Sequence, residues 1–307
     1  MKTKISYILL SILASASLCA QTTTIIQGNL NVQDDPATAN VVEGNIIASN
    51  SLRIGANAST TDSGTFAIGT GATVYGTNSF AFGTYSRAGT DGENSTANFA
   101  IGHYAKSTMD GFAVGRYTTA SSPGAIAIGN QSLATGGNYA LALGGFTTAN
   151  GYGSSALGLA SVANTSYSLA LGHECNSSGY ASISVGIVAL SNGFHSSSFG
   201  VHTTAIANAS TAIGYYTTAN SYMQTTLGAY NDPAIAGTTN STTVWNANDP
   251  LFVIGNGKKV NDVVGLSNAL VMLKNGNTTF SGSIKAPTIK VTEPAGGIPM
   301  GDFGIQE

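Results

Sequence analysis

A chain of 307 residues in which only 8% are charged, against roughly 25% in ordinary soluble domains, and in which 39 are glycine, is not an average globular sequence. Its net charge of -3, spread thinly, offers no basic patch for nucleic acid or an anionic membrane, because phosphate binding needs clustered lysine and arginine. Disorder, the usual fate of Gly-, Ser- and Thr-rich chains, is excluded by apolar columns that stay in register through the middle of the sequence.

At the start, Lys2 and Lys4 precede the apolar run Ile5 to Leu13 and then small residues, which predicts a signal peptide over 1–20 cleaved after Ala20. The run is too short to span a bilayer, and no other transmembrane helix is predicted. Cys19 raises the alternative of a lipoprotein, but Leu18 stands where that signal wants a small residue. Removal of the signal leaves Cys175 as the sole cysteine, so no intramolecular disulfide forms. Residues 21–50 read as short β segments broken by Asp34-Asp35-Pro36, and are expected to cap the region that follows.

From 51 to 230 one motif recurs, as in Ser154-Ser155-Ala156-Leu157-Gly158 and Tyr167-Ser168-Leu169-Ala170-Leu171-Gly172. Its closing glycines are Gly55, Gly69, Gly83, Gly102, Gly115, Gly129, Gly144, Gly158, Gly172, Gly186, Gly200, Gly214 and Gly228, spaced by 14 except for intervals of 19, 13 and 15 after Gly83, Gly102 and Gly129. Fourteen residues fit one coil of a narrow parallel β-solenoid, with two short strands and two tight turns. The residue before each glycine is apolar, alanine usually precedes it, and a large residue often stands one place earlier, the alternation of a strand. Small residues three and five after the glycine, such as Ser132 and Ala134, mark the second strand and are expected to leave room inside for the bulky side chains opposite. About thirteen such coils, at about 4.8 Å each, make a rod near 60 Å long. The interval after Gly83 holds a polar insertion around Thr90-Asp91-Gly92-Glu93-Asn94, expected to loop out.

Ser79-Phe80-Ala81-Phe82-Gly83-Thr84-Tyr85-Ser86-Arg87-Ala88 and Ala125-Ile126-Ala127-Ile128-Gly129-Asn130-Gln131-Ser132-Leu133-Ala134 resemble the head repeat of trimeric autotransporter adhesins, the YadA-like head. The resemblance implies a left-handed parallel β-roll, three chains side by side, and work as an exported cell-surface or extracellular adhesin. The residues also argue for association: a roll that buries one or two large side chains per coil is marginally stable, and the column Ala67, Ala81, Ala100, Ala113, Ala127, Ala142, Ala156, Ala170 is a smooth stripe expected at or near the trimer interface. The sustained heptads of the stalk and the terminal strand of the membrane barrel are not seen, so export to the periplasm or medium, or attachment through an assembly partner, is expected.

After Gly228 the period stops at Asn231-Asp232-Pro233. Over 231–286 the β-type runs Leu251 to Ile254, Ala269 to Leu273 and Thr278 to Ile284, separated by Gly255-Asn256-Gly257 and Asn275-Gly276-Asn277, predict a hairpin-rich connector module. The proline- and glycine-bearing stretch 287–307 reads as a loose tail.

No catalytic constellation, metal site or cofactor is predicted. In His173-Glu174-Cys175 neighbouring strand residues point to opposite faces, and Cys175 sits in the small-residue column three after its glycine. Aromatic side chains recur two residues after the glycines, at Tyr85, Tyr104, Tyr117, Phe146, Tyr216 and Tyr230. They are the candidate ligand-binding residues, as rigid contact area repeated along an outer turn, for a host or matrix protein or a glycan. Mutual stacking of the rings is the structural alternative. An ice-binding solenoid or a non-enzymatic tail-fibre-like component are the alternative functions, the former disfavoured because Thr118-Thr119, Thr147-Thr148, Thr203-Thr204 and Thr217-Thr218 put neighbours on opposite faces and skip coils.

Overall fold

Small residues at most inward positions of the coils let the chain close into a narrow tube with little room for a bulky core. The computed structural model describes residues 51–285, with 62 and 92–95 excepted; the signal peptide (1–20), the cap (21–50), residue 286 and the tail (287–307) lie outside the described residues. Among the described residues, one sheet has 16 strands, from Ser51–Ile54 onward, and a second has 12 two-residue strands, from Ser59–Thr60 to Thr218–Ala219. As far as Thr225–Ala229, each strand pairs in parallel with its counterpart one coil on, most often alanine beside alanine and glycine beside glycine, as Ala142 with Ala156 and Gly144 with Gly158. The coil of 19 is absorbed without loss of register, because Phe80 pairs with Phe99 and Arg87 with Lys106, so its extra residues fall between Ala88 and Phe99.

The direction of the side chains corrects the sequence-based expectation. The alanine column is inside, with Ala67, Ala81, Ala100, Ala113, Ala127, Ala142, Ala156 and Ala170 all fully buried, and it cannot form the trimer interface. It faces the small residues three and five after each glycine, such as Ser132 with Ala134 and Ser161 with Ala163, which are equally buried. The bulky members of the alternating pair point outward, and none fills the roll. The physical reason is the coil length: fourteen residues spent on two strands and two turns leave little room between the sheets, which is filled mostly by Ala, Ser and Thr, with an occasional Val or Cys.

Serine replaces alanine in the later coils without changing this geometry. Ser177 and Ser184 donate to the carbonyl oxygens of Leu169 and Asn176 at 2.6 and 2.7 Å, and Ser191 and Ser198 bond each other at 2.8 Å. The buried apolar residues form separate blocks, one reaching Ala189 and one from Ala205 to Ala219, with Ser191 and Ser198 between them.

The first sheet does not end where the period does. Pro250–Asn256 adds to Thr225–Ala229 in parallel, with Leu227 beside Ile254 and Gly228 beside Gly255, so Phe252-Val253-Ile254-Gly255 is a further copy of the motif after an excursion over 231–249. Asn268–Leu273 and Thr278–Phe280 then pair antiparallel, and Lys258–Val260 with Val263–Gly265 forms a separate hairpin. The second sheet is closed by a side chain: the Asn231 amide accepts from the Thr218 N–H at 2.7 Å and donates to its carbonyl at 3.1 Å, in place of a next strand.

Asp249 pins the excursion. Burial alone would push its carboxyl up, but N–H groups of Ser241, Thr239 and Asn240 and the Thr239 hydroxyl all donate to it, and together they hold its pKa below the ordinary aspartate value. Lys274 donates to the Ser221 hydroxyl at 2.8 Å and lies over the rings of Trp245 and Tyr222, tying the far hairpin to the same place. A carboxylate with a lowered folded-state pKa stabilises above its unfolded pKa, and that stability is lost as the pH falls through the folded value. Asp249→Asn is therefore expected to lower the melting temperature at neutral pH and to flatten its decline towards about pH 3, followed by circular dichroism.

Candidate binding surface

Each coil makes its first turn with a residue in the left-handed region two places after the glycine: Tyr85, Tyr104, Tyr117, Gln131, Phe146, Ala160, Glu174, Val188, His202, Tyr216 and Tyr230 have φ between 44° and 57°. The turn is held by a ladder of its own, in which the N–H of Tyr85, Phe146 and Tyr216 donates to Thr70, Asn130 and Val201 of the preceding coil at 2.8 Å. This backbone sends the side chain out of the roll, so the aromatic column lies on an edge.

Of the six candidate residues, Tyr85, Tyr104, Tyr117, Phe146 and Tyr216 are exposed, whereas Tyr230 is only 6% exposed. Burial, then the hydrogen bond and charge of Tyr215 and the charge of Tyr216, push the Tyr230 hydroxyl up to about 12. The rings form two stacks rather than one row. Tyr85, Tyr104 and Tyr117 stack at 5.0 and 5.3 Å, and His202, Tyr216 and Tyr230 at 4.3 and 4.9 Å, with Gln131, Ala160, Glu174 and Val188 of the same column leaving Phe146 between them. Stacking hides ring faces and leaves edges and phenol hydroxyls to solvent.

A second ladder, missed by the sequence reading, runs along the other turn. Tyr139, Tyr152, Tyr167 and Tyr180 meet edge to face at 5.9, 5.6 and 5.7 Å, and Phe194 tilts against Tyr180 at 6.3 Å. All five are at least 41% exposed. They stand ten, eight, nine, eight and eight residues after their glycines, so no single column reveals them.

The outer face of the first sheet is also apolar. Phe66, Phe82, Phe112, Ile126, Ile128, Leu171, Phe199 and Ile213 are each more than a third exposed. At one end Phe66, Phe80, Phe99 and Phe112 form a ladder at 6.1, 5.1 and 4.8 Å.

No group of three metal-ligating side chains occurs among the described residues. His173 and Glu174 face solvent and approach at 3.7 Å, while Cys175 points inward, its thiol 3.2 Å from the Gly186 carbonyl. Burial pushes the Cys175 thiol up, the opposite of what a nucleophile needs. No helix of the described residues is long and apolar enough to cross a membrane.

The family model that matches this chain is the YadA head domain repeat, over residues 63–86, 110–132, 120–147, 136–159, 149–174 and 191–217. No curated protein matches the chain.

Proposed function

We propose, from the premise that this chain carries YadA head repeats, that it is an exported adhesin without enzymatic activity, whose roll assembles as a trimer and meets a host or matrix protein or a glycan along its aromatic turns. The observation that carries the reading is the outer face of the first sheet. A monomer rarely leaves an apolar patch above a few hundred Å² to water, and here large apolar side chains recur on that face in coil after coil. Because the face repeats, a second and third copy can bury it in register along its length, and trimerisation through this face replaces the alanine stripe as the assembly argument.

The edges then remain free for ligand. Tyr85, Tyr104 and Tyr117 are ring contacts exposed together on one edge, and a contact repeated coil after coil on three chains gains by avidity. Replacing all three by Ser is expected to abolish attachment of cells or purified protein to matrix while the trimer persists; attachment at the native level would return the rings to a purely structural role. The ice-binding alternative gains nothing from the outward row of the second sheet, which reads Thr119, Leu133, Thr148, Val162, Asn176, Leu190, Thr204, Thr218.

A further inference from the structure

The early coils set two cations side by side on the outer face of the second sheet. Arg87 and Lys106 occupy the same outward position of the second sheet and are direct partners in adjacent strands, about 4.8 Å apart along the roll. Like charges placed side by side in a sheet destabilise it unless something neutralises them. Neither residue, nor Arg116, takes part in the ion pairs of the described residues, which are His173–Glu174 and Lys259–Asp262; Arg87 donates to the Gly89 carbonyl at 3.2 Å and lies 5.2 Å from the Tyr75 ring, toward the turn away from Tyr85. The described carboxylates of these coils lie beyond the other end of the same strands: Asp91 follows Arg87–Ala88 and Asp110 follows Lys106–Ser107, where Asp110 accepts from the N–H and hydroxyl of Thr96. Arg116 lies on the opposite side, its guanidinium 5.0 Å from the Tyr117 ring, beside the stacked edges of Tyr85, Tyr104 and Tyr117.

We propose that the outer face of the second sheet, with Arg87 and Lys106 as cations, together with the turn beside it, where Arg116 and the phenol donors Tyr85, Tyr104 and Tyr117 stand, binds an anionic polysaccharide lying along the roll axis. The repeat sets the geometry: cations and hydroxyl donors recur at coil spacing in straight rows, which an extended polymer follows and a compact ligand does not. The outward row Thr73, Arg87, Lys106, Thr119 offers hydroxyls and charge with no apolar centre, whereas a protein partner's interface has an apolar core depleted of charge. Carboxylated and sulfated sugars share the chemistry the row recognises, and both accept from Arg, Lys and phenol O–H groups. The later coils carry no equivalent, since Glu174 is the only charged residue from Tyr117 to Gly228.

The inference deepens the adhesin reading by naming a ligand class. Its test uses the purified full chain, so a failure here would leave whole-cell attachment standing as a separate result. Immobilised dextran sulfate, polygalacturonate, neutral dextran and polyglutamate are the probes, with binding read by biolayer interferometry. Binding to either charged polysaccharide or to both is expected, with little to dextran or polyglutamate; preference between the first two assigns sulfate or carboxylate. Affinity is expected to fall steeply as salt rises from about 0.05 to 0.5 M, and Arg87→Gln, Lys106→Gln and Arg116→Gln together to weaken it at least tenfold with the circular dichroism spectrum unchanged. Lys258→Gln with Lys259→Gln, in the separate hairpin Lys258–Val260 with Val263–Gly265, is expected to leave it unchanged. Absence of binding to both charged polysaccharides, equal binding to polyglutamate, or full binding by the triple variant would each overturn the proposal.

Discussion

Gly144→Ala is expected to destabilise the roll by at least about 3 kcal/mol and to lower its melting temperature by roughly 10 °C, while Gly145→Ala next to it stays within about 1 kcal/mol of the parent. Gly144 has a φ of 132°, a region that only glycine enters freely, and an added methyl would run into the carbonyl oxygen of Gly158 in the next coil. That oxygen is backbone, and the same glycine-on-glycine approach runs from Gly55 to Gly228, so the strain has nowhere to relax. A methyl on Gly145 would meet only the end of the Leu159 side chain at 3.1 Å, which can turn away. Thermal unfolding of the two variants side by side measures the difference, and equal melting temperatures would contradict the close coil-to-coil packing.

Ala142→Leu is the second large effect, at about 3 kcal/mol, the upper end of the range for overpacking. Ala142 is fully buried between Ala127 and Ala156 of the neighbouring coils, and the facing positions across the roll are small as well. Leu143, one residue on, points outward and half-exposed, so Leu143→Ala in the isolated chain is expected to cost little. Were the bulky residues the core, the ranking would invert, and Leu143→Ala would cost the 2–5 kcal/mol of a cavity while Ala142→Leu would be mild. Urea denaturation of both variants separates the two arrangements.

That pair of residues also marks the limit of what the sequence reveals. The period, the parallel coils and the turning role of the glycines are legible because thirteen copies keep one register. Which face of an alternating strand is inside is not, since alternation supplies two equivalent faces, and the general preference for bulky residues in cores points the wrong way when the sheets approach so closely. The run Leu251 to Ile254 is legible as a strand, but its place as a further copy of the motif is not, because the excursion pinned by Asp249 breaks the spacing while leaving Phe252-Val253-Ile254-Gly255 intact. Of the candidate ring column, the outward turn at Tyr85, Tyr104 and Tyr117 is legible from position alone. The burial of Tyr230 depends on Tyr215 and Tyr216 and on the end of the roll around it, and the Tyr139-to-Phe194 ladder on alternating offsets, neither of which a fixed column contains. The polar insertion after Gly83 is placed correctly between Ala88 and Phe99, because both sheets resume register on either side of it.

The most direct test of the account is the mass of the full chain in solution, by sedimentation equilibrium at micromolar concentration. Three times the 30.9 kDa of the chain is expected for the parent, less any processed leader, and a single chain mass for Ile128→Glu with Leu143→Glu, which places charge on the outer face of the first sheet and leaves the alanine core untouched. A monomeric parent, or a variant that remains trimeric, would contradict assembly through that face.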